Sequence, residues 1–334
     1  MDSSFSAERI NLTSILSQTK SIINAHSRHF LALSLISLLP ISFLITIYPT
    51  LLLQLHSSLF DSHLLNPQTL ILISTPNPNY DSPFYHFAPV VFFVIIGFLY
   101  VCGVCTVTYS VIHGFYGRPV RLSSSMKSLL RNVIPIVFTM FCGLLFAFLV
   151  FAVFGVFLFF VVVSVSFFGG EVEFGFNWLM VLFVIGLVLV LVYVQVHCVL
   201  GCVVVVVEGK WGFEALRRSG VLVKGMRLVS LWLLLFGCVT VVFPLWLHSV
   251  PLVKFEGGFD FWKSAGFVAQ TVLSSSFVTL FMLISISANA VLYMYCKALH
   301  GELASEIAEE FARDYVSLPF DDEKVPHIVT VVQA

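Results

Sequence analysis

The chain has 334 residues, of which 59% are hydrophobic and only 10% are charged. Because soluble domains carry about 25% charged residues, this composition excludes a water-soluble surface and is typical of an integral membrane protein. The formal net charge of −1 gives no extended basic surface, so we expect no nucleic-acid partner.

Apolar runs divide the chain into three parts. Residues 1–29 form a polar, amphipathic N-terminal segment, residues 30–297 a transmembrane domain, and residues 298–334 an acidic tail. A helix needs about 20 residues to cross the hydrocarbon layer, and six runs reach that length. The predicted spans are Phe30–Leu53, Phe87–Ile112, Val133–Phe160, Trp178–Val207, Leu228–Leu247 and Val272–Cys296. We therefore predict an all-α, six-helix membrane bundle, with a tilted or protruding third span because its apolar character continues to Phe168.

The segments before the odd-numbered spans resemble one another. Each places apolar residues on one helical face and has a basic residue followed by serine, at Lys20, Lys127 and Arg218. The apolar faces comprise Leu12, Ile15, Leu16, Ile22 and Ile23, then Leu122, Met126, Leu129, Leu130 and Val133, and then Phe213, Leu216 and Val223. The even-numbered spans end in similar motifs, His113–Gly117 and Glu208–Gly212, and a weaker match to this motif begins at His300. We predict three repeated hairpins, each preceded by a cytosolic amphipathic helix; chance similarity in a Gly- and aromatic-rich chain is the alternative.

Positive charges lie almost entirely on one side of the predicted bundle. Fifteen of the 17 Lys and Arg residues lie in the N-terminal segment, in the 113–132 and 208–227 loops or after the sixth span, where Lys297 directly precedes the tail, whereas Lys254 and Lys263 lie on the other side. Because positive residues near span ends are retained in the cytosol, the N- and C-termini are both predicted to be cytosolic.

The tail changes character after the sixth span. It carries eight acidic residues between Glu302 and Glu323. Apolar residues recur every four positions, at Leu299, Leu303, Ile307 and Phe311. This pattern predicts an amphipathic helix that ends before Pro319. Its acidic face would be repelled by an anionic leaflet, so we expect it to lie on its own bundle or on a cytosolic protein partner.

Few polar residues fall within the predicted spans, and they are the candidate site residues. Gln195 and His197 lie in the fourth span, and Asn289 lies in the sixth with Ser285 and Ser287. They could form a site for a small solute or a lipid headgroup. The favoured interpretation is interhelical hydrogen bonding, which is the common use of such residues in membranes. No charged residue lies within a predicted span, so ion-coupled transport is less expected.

Motifs for catalysis or metal binding are not found in the sequence. It has no G-x-S-x-G, H-E-x-x-H or P-loop pattern. The pairs Cys102 with Cys105 and Cys198 with Cys202 have metal-like spacing, but Cys is also a common small apolar residue in membranes. We expect no enzymatic activity, no cofactor and no metal site. Among the prolines within spans, Pro40 is predicted to kink its helix.

Three stretches resemble a family of plant multi-pass membrane proteins. They run from Lys20 to Phe30, from Val207 to Ser219 and from Cys296 to Ala304. The resemblance implies a plant source and a six-helix bundle, and it supplies no catalytic or binding residues. The layout is also similar to the membrane domain that is attached to some bacterial glycerophosphodiester phosphodiesterases. That membrane domain does not contain the catalytic barrel.

These observations favour a non-enzymatic multi-pass protein that acts as a scaffold, adaptor or lipid-organising component. The alternative is a facilitator of small neutral or amphiphilic solutes, which Gln195, His197 and Asn289 would serve. The expected partners are the lipid bilayer and cytosolic proteins that bind the tail. The expected location is the plasma membrane or the endomembrane system, and the oligomeric state stays open.

Overall fold

The computed structural model describes residues 11–64, 84–118, 122–167, 172–254 and 264–308. Within these ranges the chain is helical and has no strand, and six helical stretches are long and apolar enough to cross a membrane. The prediction of an all-α, six-helix membrane bundle is confirmed. The spans are Ser27–Leu51, Pro89–Phe115, Leu122–Ser164, Val181–Glu208, Arg227–His248 and Ala265–Leu299.

Several spans contain more than one helix, and shorter helices lie between them. The helices are α1 (Leu12–Ala25), α2 (Ser27–Leu33), α3 (Leu39–Leu64), α4 (Phe84–Phe115), α5 (Leu122–Phe167), α6 (Val172–Cys198), α7 (Gly201–Glu208), α8 (Phe213–Leu222), α9 (Arg227–Lys254) and α10 (Ala265–Leu299). A further helix, α11, covers residues 302–308. The first span consists of α2 and α3, and the fourth of α6 and α7.

The sixth span, α10, is the central helix of the bundle. It packs against α9, α3, α4 and α1, and 67% of its most apolar window is buried within the protein. A hydrogen bond of 2.9 Å from Thr279 Oγ1 to Ser42 Oγ joins α10 to α3. The equivalent window of α5 is 0% buried. The side chains of that window therefore face the surroundings of the bundle, whereas the earlier part of α5 packs on α4 and α7 and buries Ile136 and Thr139.

The first span accommodates Pro40 through a π-helical turn. The turn covers Ser34–Leu38, and the N–H of Leu39 donates to the carbonyl of Ser34, five residues earlier. Proline has no N–H, and its ring crowds the carbonyl four residues before it. The wider turn gives that carbonyl room directly before Pro40. The irregularity predicted at this proline thus takes the form of a π turn.

The fourth span is interrupted, which corrects the prediction of one helix over Trp178–Val207. The chain leaves the helix at Leu200, whose φ and ψ are −87° and −2°. Both free backbone groups are satisfied by a buried serine on α8. The Leu200 N–H donates to Ser219 Oγ at 3.2 Å, and the Ser219 hydroxyl donates to the His197 carbonyl at 2.6 Å. A break at membrane depth is tolerated only with such partners.

The third span differs from prediction at its start. The predicted cytosolic amphipathic segment is continuous with the span, because α5 runs unbroken from Leu122 for 46 residues. At 1.5 Å per residue it is about 69 Å long, more than twice the hydrocarbon thickness. The predicted apolar face is divided: Leu122, Met126 and Leu130 are exposed, with Leu130 81% accessible, whereas Leu129 and Val133 pack against the core. Ser125 is buried and faces Ser110 of α4.

The repeated hairpins share the way in which their second spans end. Glycines with left-handed backbone follow the second, fourth and sixth spans, with φ of 68° at Gly117, 68° at Gly209 and 73° at Gly301. Separate amphipathic helices, α1 and α8, precede the first and third hairpins. These helices and α11 lie at the same end of the bundle, where α1 packs on α10 and α8 packs on α7. We call this end, defined by α1, α8 and α11, the basic end.

Candidate functional site at the basic end

The three predicted site residues do not meet. Gln195 is exposed on α6, whereas the ring of His197 packs 4.5 Å from that of Tyr193 and lies against Gly220 of α8. His197 Nε2 and Asn289 Oδ1 are buried, and neither has a hydrogen-bond partner among the described residues. Across the described ranges no hydrogen bond or ring contact connects Gln195, His197 and Asn289. Their use as a solute site stays a prediction.

A group of charged side chains does converge, around Glu208 at the end of α7. Arg218 Nε of α8 donates to Glu208 Oε1 at 3.1 Å and to Oε2 at 3.2 Å. The Tyr293 hydroxyl of α10 donates to Oε1 at 3.0 Å, and Lys210 Nζ lies 3.2 Å from Oε2. Arg218 Nη2 also donates to Glu302 of α11. We call these five residues the Glu208 network; they connect four helices at the basic end.

Charge pairing in the Glu208 network changes the acid–base properties of its outer members. The hydrogen bond from Arg218 holds the pKa of the Glu302 carboxyl below its ordinary value. The same bond, followed by the pairing with Glu208, raises the pKa of the Arg218 guanidinium. The Glu208 side chain is 12% exposed and that of Arg218 21%. Removing one partner therefore leaves a poorly solvated charge.

The loop between α7 and α8 fixes the position of the network. Gly212, with a φ of 65°, donates its N–H to Thr139 Oγ1 of α5 at 2.8 Å. A Cβ on Gly212 would lie 2.8 Å from Phe138 Cε1, so the close approach requires glycine. The ring of Trp211 contacts that of Phe138 edge to face at 5.3 Å. These contacts hold the Glu208–Gly212 motif against α5 and set the direction of α8.

A second ion pair attaches α11 to the end of α10. Lys297 Nζ lies 2.6 Å from Glu306 Oε2 and 5.7 Å from the centre of the Tyr293 ring. The Lys297 side chain is 9% exposed. Leu303 packs against the hydrophobic core. The first part of the tail therefore lies on its own bundle, one of the two predicted placements, whereas Phe311 and Pro319 lie outside the described residues.

Beside the Glu208 network, α4, α5 and α7 enclose a cleft of about 540 Å³. Ten residues line it: Tyr109, Ser124, Lys127, Ser128, Arg131, Asn132, Val206, Val207, Glu208 and Gly209. Five of them are polar or positively charged side chains on a single stretch of α5. We call it the α5 cleft. Among the described residues, no group of three metal-ligating side chains is present here or elsewhere.

Comparison with protein families gives a match over residues 3–325 to the family described as "Domain of unknown function (DUF8558)". The match covers nearly the whole chain. The chain belongs to the DUF8558 family. No curated protein and no solved structure matches it.

Sequence reasoning missed the Glu208 network in this DUF8558 chain. Lys210, Arg218 and Glu302 stand in the stretches that carry the plant-family resemblance, but the two basic residues were used only to assign orientation and to identify the repeat. Two signals were present: an acidic residue at the very end of a span, and a tyrosine in the last two turns of another. Neither predicts a contact alone, because pairing depends on the break in the fourth span and on the fold-back at Gly301.

Proposed function

We propose that this DUF8558 chain is a non-enzymatic scaffold, adaptor or lipid-organising component of a plant plasma membrane or endomembrane, with its basic end in the cytosol. The observation that carries the proposal is the attachment of α11 to the bundle. Arg218 binds Glu302, and Lys297 binds Glu306 at 2.6 Å. The chain thus continues into residues 309–334 from a fixed point, and the sequence of that segment adds six acidic residues.

The cytosolic orientation is supported by charge and by packing. Fifteen of the 17 positive residues belong to the N-terminal segment, two loops and the stretch after the sixth span, Lys297 included, which is the distribution expected for cytosolic segments. The amphipathic helices α1 and α8 bury Ile15, Ile22 and Leu222 against the bundle. They therefore cap the span ends and leave their polar faces accessible to a partner.

Proximity labelling from the basic end tests the proposal. The labelling enzyme is fused to the N-terminus, and the full chain is compared in plant cells with a chain that ends at residue 308. We expect a set of cytosolic proteins labelled only when residues 309–334 are present. Identical labelling by the two chains would contradict the adaptor role. Labelling of proteins from the opposite compartment would contradict the orientation.

Facilitated passage of a small neutral or amphiphilic solute is the second candidate. Ser287 Oγ and Asn289 Oδ1 on the central helix are buried and, among the described residues, have no hydrogen-bond partner. Such groups are costly unless something binds them. In proteoliposomes, Asn289→Leu should abolish flux of such a solute, whereas Ser276→Leu, at an exposed position of the same helix, serves as the control. Wild-type flux no higher than that of empty liposomes would exclude this candidate.

A further inference from the structure

The α5 cleft presents unpaired positive charge. Lys127 and Arg131 are one helical turn apart on α5, and both are exposed. Within the described residues neither forms an ion pair. Like charges at this spacing repel each other, so an anion between them relieves an unfavourable interaction.

The acidic residue of the cleft does not neutralise this pair. Both Glu208 oxygens have partners: Arg218 and Tyr293 on Oε1, and Arg218 and Lys210 on Oε2. Its charge is already balanced within the Glu208 network. The α5 cleft therefore attracts an anion through Lys127 and Arg131.

Neutral hydrogen-bonding groups complete the cleft. Ser124, Ser128 and Asn132 form a second row on α5, and Asn132 Nδ2 donates to Ser128 Oγ at 3.2 Å. Both of these side chains also hydrogen-bond the Cys105 side chain of α4. Ser124 forms no side-chain hydrogen bond within the described residues, so its hydroxyl proton stays open to an acceptor such as a phosphate oxygen. The opposite wall is the last turn of α7, where helix geometry leaves carbonyl oxygens without intrahelical partners. Donors on one wall and acceptors on the other match a phosphate that carries hydroxyl groups.

The arrangement of rows around α5 indicates where such a ligand comes from. At 100° per residue, Lys127 and Arg131 lie between the serine row and the outward row of Met126, Leu130 and Ile134. Leu130 is 81% exposed and Ile134 79%. An apolar row this exposed is suited to acyl chains. The positive charges thus stand at the edge where the α5 cleft meets lipid.

We propose that the α5 cleft binds the phosphate of an anionic phospholipid with a polyol headgroup, drawn from the leaflet at the basic end. Lys127 and Arg131 bind the phosphate, and the serine row and the α7 carbonyls bind the headgroup hydroxyls. Basic pockets of this kind between spans are suited to phosphoinositide headgroups. The proposal deepens the lipid-organising role and does not depend on a protein partner of the tail.

The test uses the full chain in nanodiscs of phosphatidylcholine with a minor fraction of phosphatidylinositol phosphate, with bound lipid measured by native mass spectrometry. Both leaflets are accessible in a nanodisc, so an error in the assigned orientation would not affect the result. We expect Lys127→Gln with Arg131→Gln to weaken binding about 10- to 30-fold, the effect of two positive residues near a lipid surface. Ser124→Phe, which fills the cleft and keeps every charge, should also weaken binding.

The matched control is Lys224→Gln with Arg227→Gln, which removes two exposed positive charges beyond the cleft lining. This variant should lose much less affinity. Equal losses from both pairs, or full binding by Ser124→Phe, would indicate diffuse attraction and overturn the site. Competition by inositol phosphate in solution as strong as by the lipid would assign the cleft to a soluble anion and overturn the lipid assignment.

Discussion

Arg218 is the residue on which the Glu208 network depends, because among the described residues it alone forms hydrogen bonds with both Glu208 and Glu302. We expect Arg218→Gln to lower the free energy of unfolding by about 1–3 kcal/mol, since Glu302 loses its cationic partner in the network and Glu208 keeps only Lys210 as a cationic partner. The measurement is thermal unfolding of the detergent-solubilised protein by tryptophan fluorescence. Arg217→Gln removes the exposed neighbouring charge and should change stability little. Equal effects of the two substitutions would show that only net charge matters.

Glu302 gives the network a defined pH dependence. Its pKa lies below the ordinary value of 4.5 because the folded protein binds its charged form through Arg218. The stabilisation is therefore complete above pH 4.5, and it is lost as pH falls through the lower pKa of the folded state. Melting temperatures measured across this acid range should fall for the wild-type chain. Glu302→Gln should remove that part of the decline, and an unchanged profile in this variant would contradict the assignment.

At the scale of elements, the break between α6 and α7 depends on one hydroxyl. Ser219→Ala removes the acceptor for the Leu200 N–H and the donor to the His197 carbonyl. Two buried backbone groups then lose their partner, and we expect a loss of about 1–3 kcal/mol for each group left unsatisfied. Ser276→Ala is the control, because its exposed hydroxyl bonds only within α10, to the Val272 carbonyl. Stability should be compared by thermal unfolding, and a Ser219→Ala protein as stable as the control would refute this role.

Much of the element pattern could be predicted from sequence, and the exceptions have a common cause. Span length and hydropathy located all six spans, because a bilayer imposes the same length on each. The break at Leu200 was not predictable, since its partner Ser219 becomes known only when α8 is placed. For a related reason, the sequence did not indicate that Leu129 would pack on the core while Leu130 is exposed. In lipid an apolar row can face outward, so amphipathicity no longer indicates which side is buried.

Sequence reasoning also selected polar residues within spans as the candidate site, and the structure gathers different ones. Gln195, His197 and Asn289 were chosen for their depth, on the ground that polar groups in lipid are costly. The convergent groups, from Lys127 and Arg131 to Glu208 and Arg218, stand at the span ends. At the span ends, water at the interface can solvate charged side chains. Which of these side chains pair then depends on contacts between helices that are distant in sequence.

At the scale of the whole molecule, burial is distributed very unevenly among the spans. The most apolar window of α10 is 67% buried and that of α5 is 0% buried. A carbene reagent confined to the lipid phase should therefore label α5 far more heavily per residue than α10. The measurement is peptide mass spectrometry after photolysis in nanodiscs that hold one copy of the chain. The exposed apolar residues Leu144 and Phe148, at 71% and 67%, should be among the labelled positions.

The same experiment at higher protein density separates lipid from a second chain as the cover of α5. If lipid covers this helix, its labelling relative to α10 stays constant as copies are added to each vesicle. A selective fall of label on α5 with density would show instead that copies of the chain associate through the third span. Weak labelling of α5 in single-copy nanodiscs would contradict the peripheral position itself. Equal labelling of both helices would do the same, because α10 could not then be the core helix around which α1, α3, α4 and α9 pack.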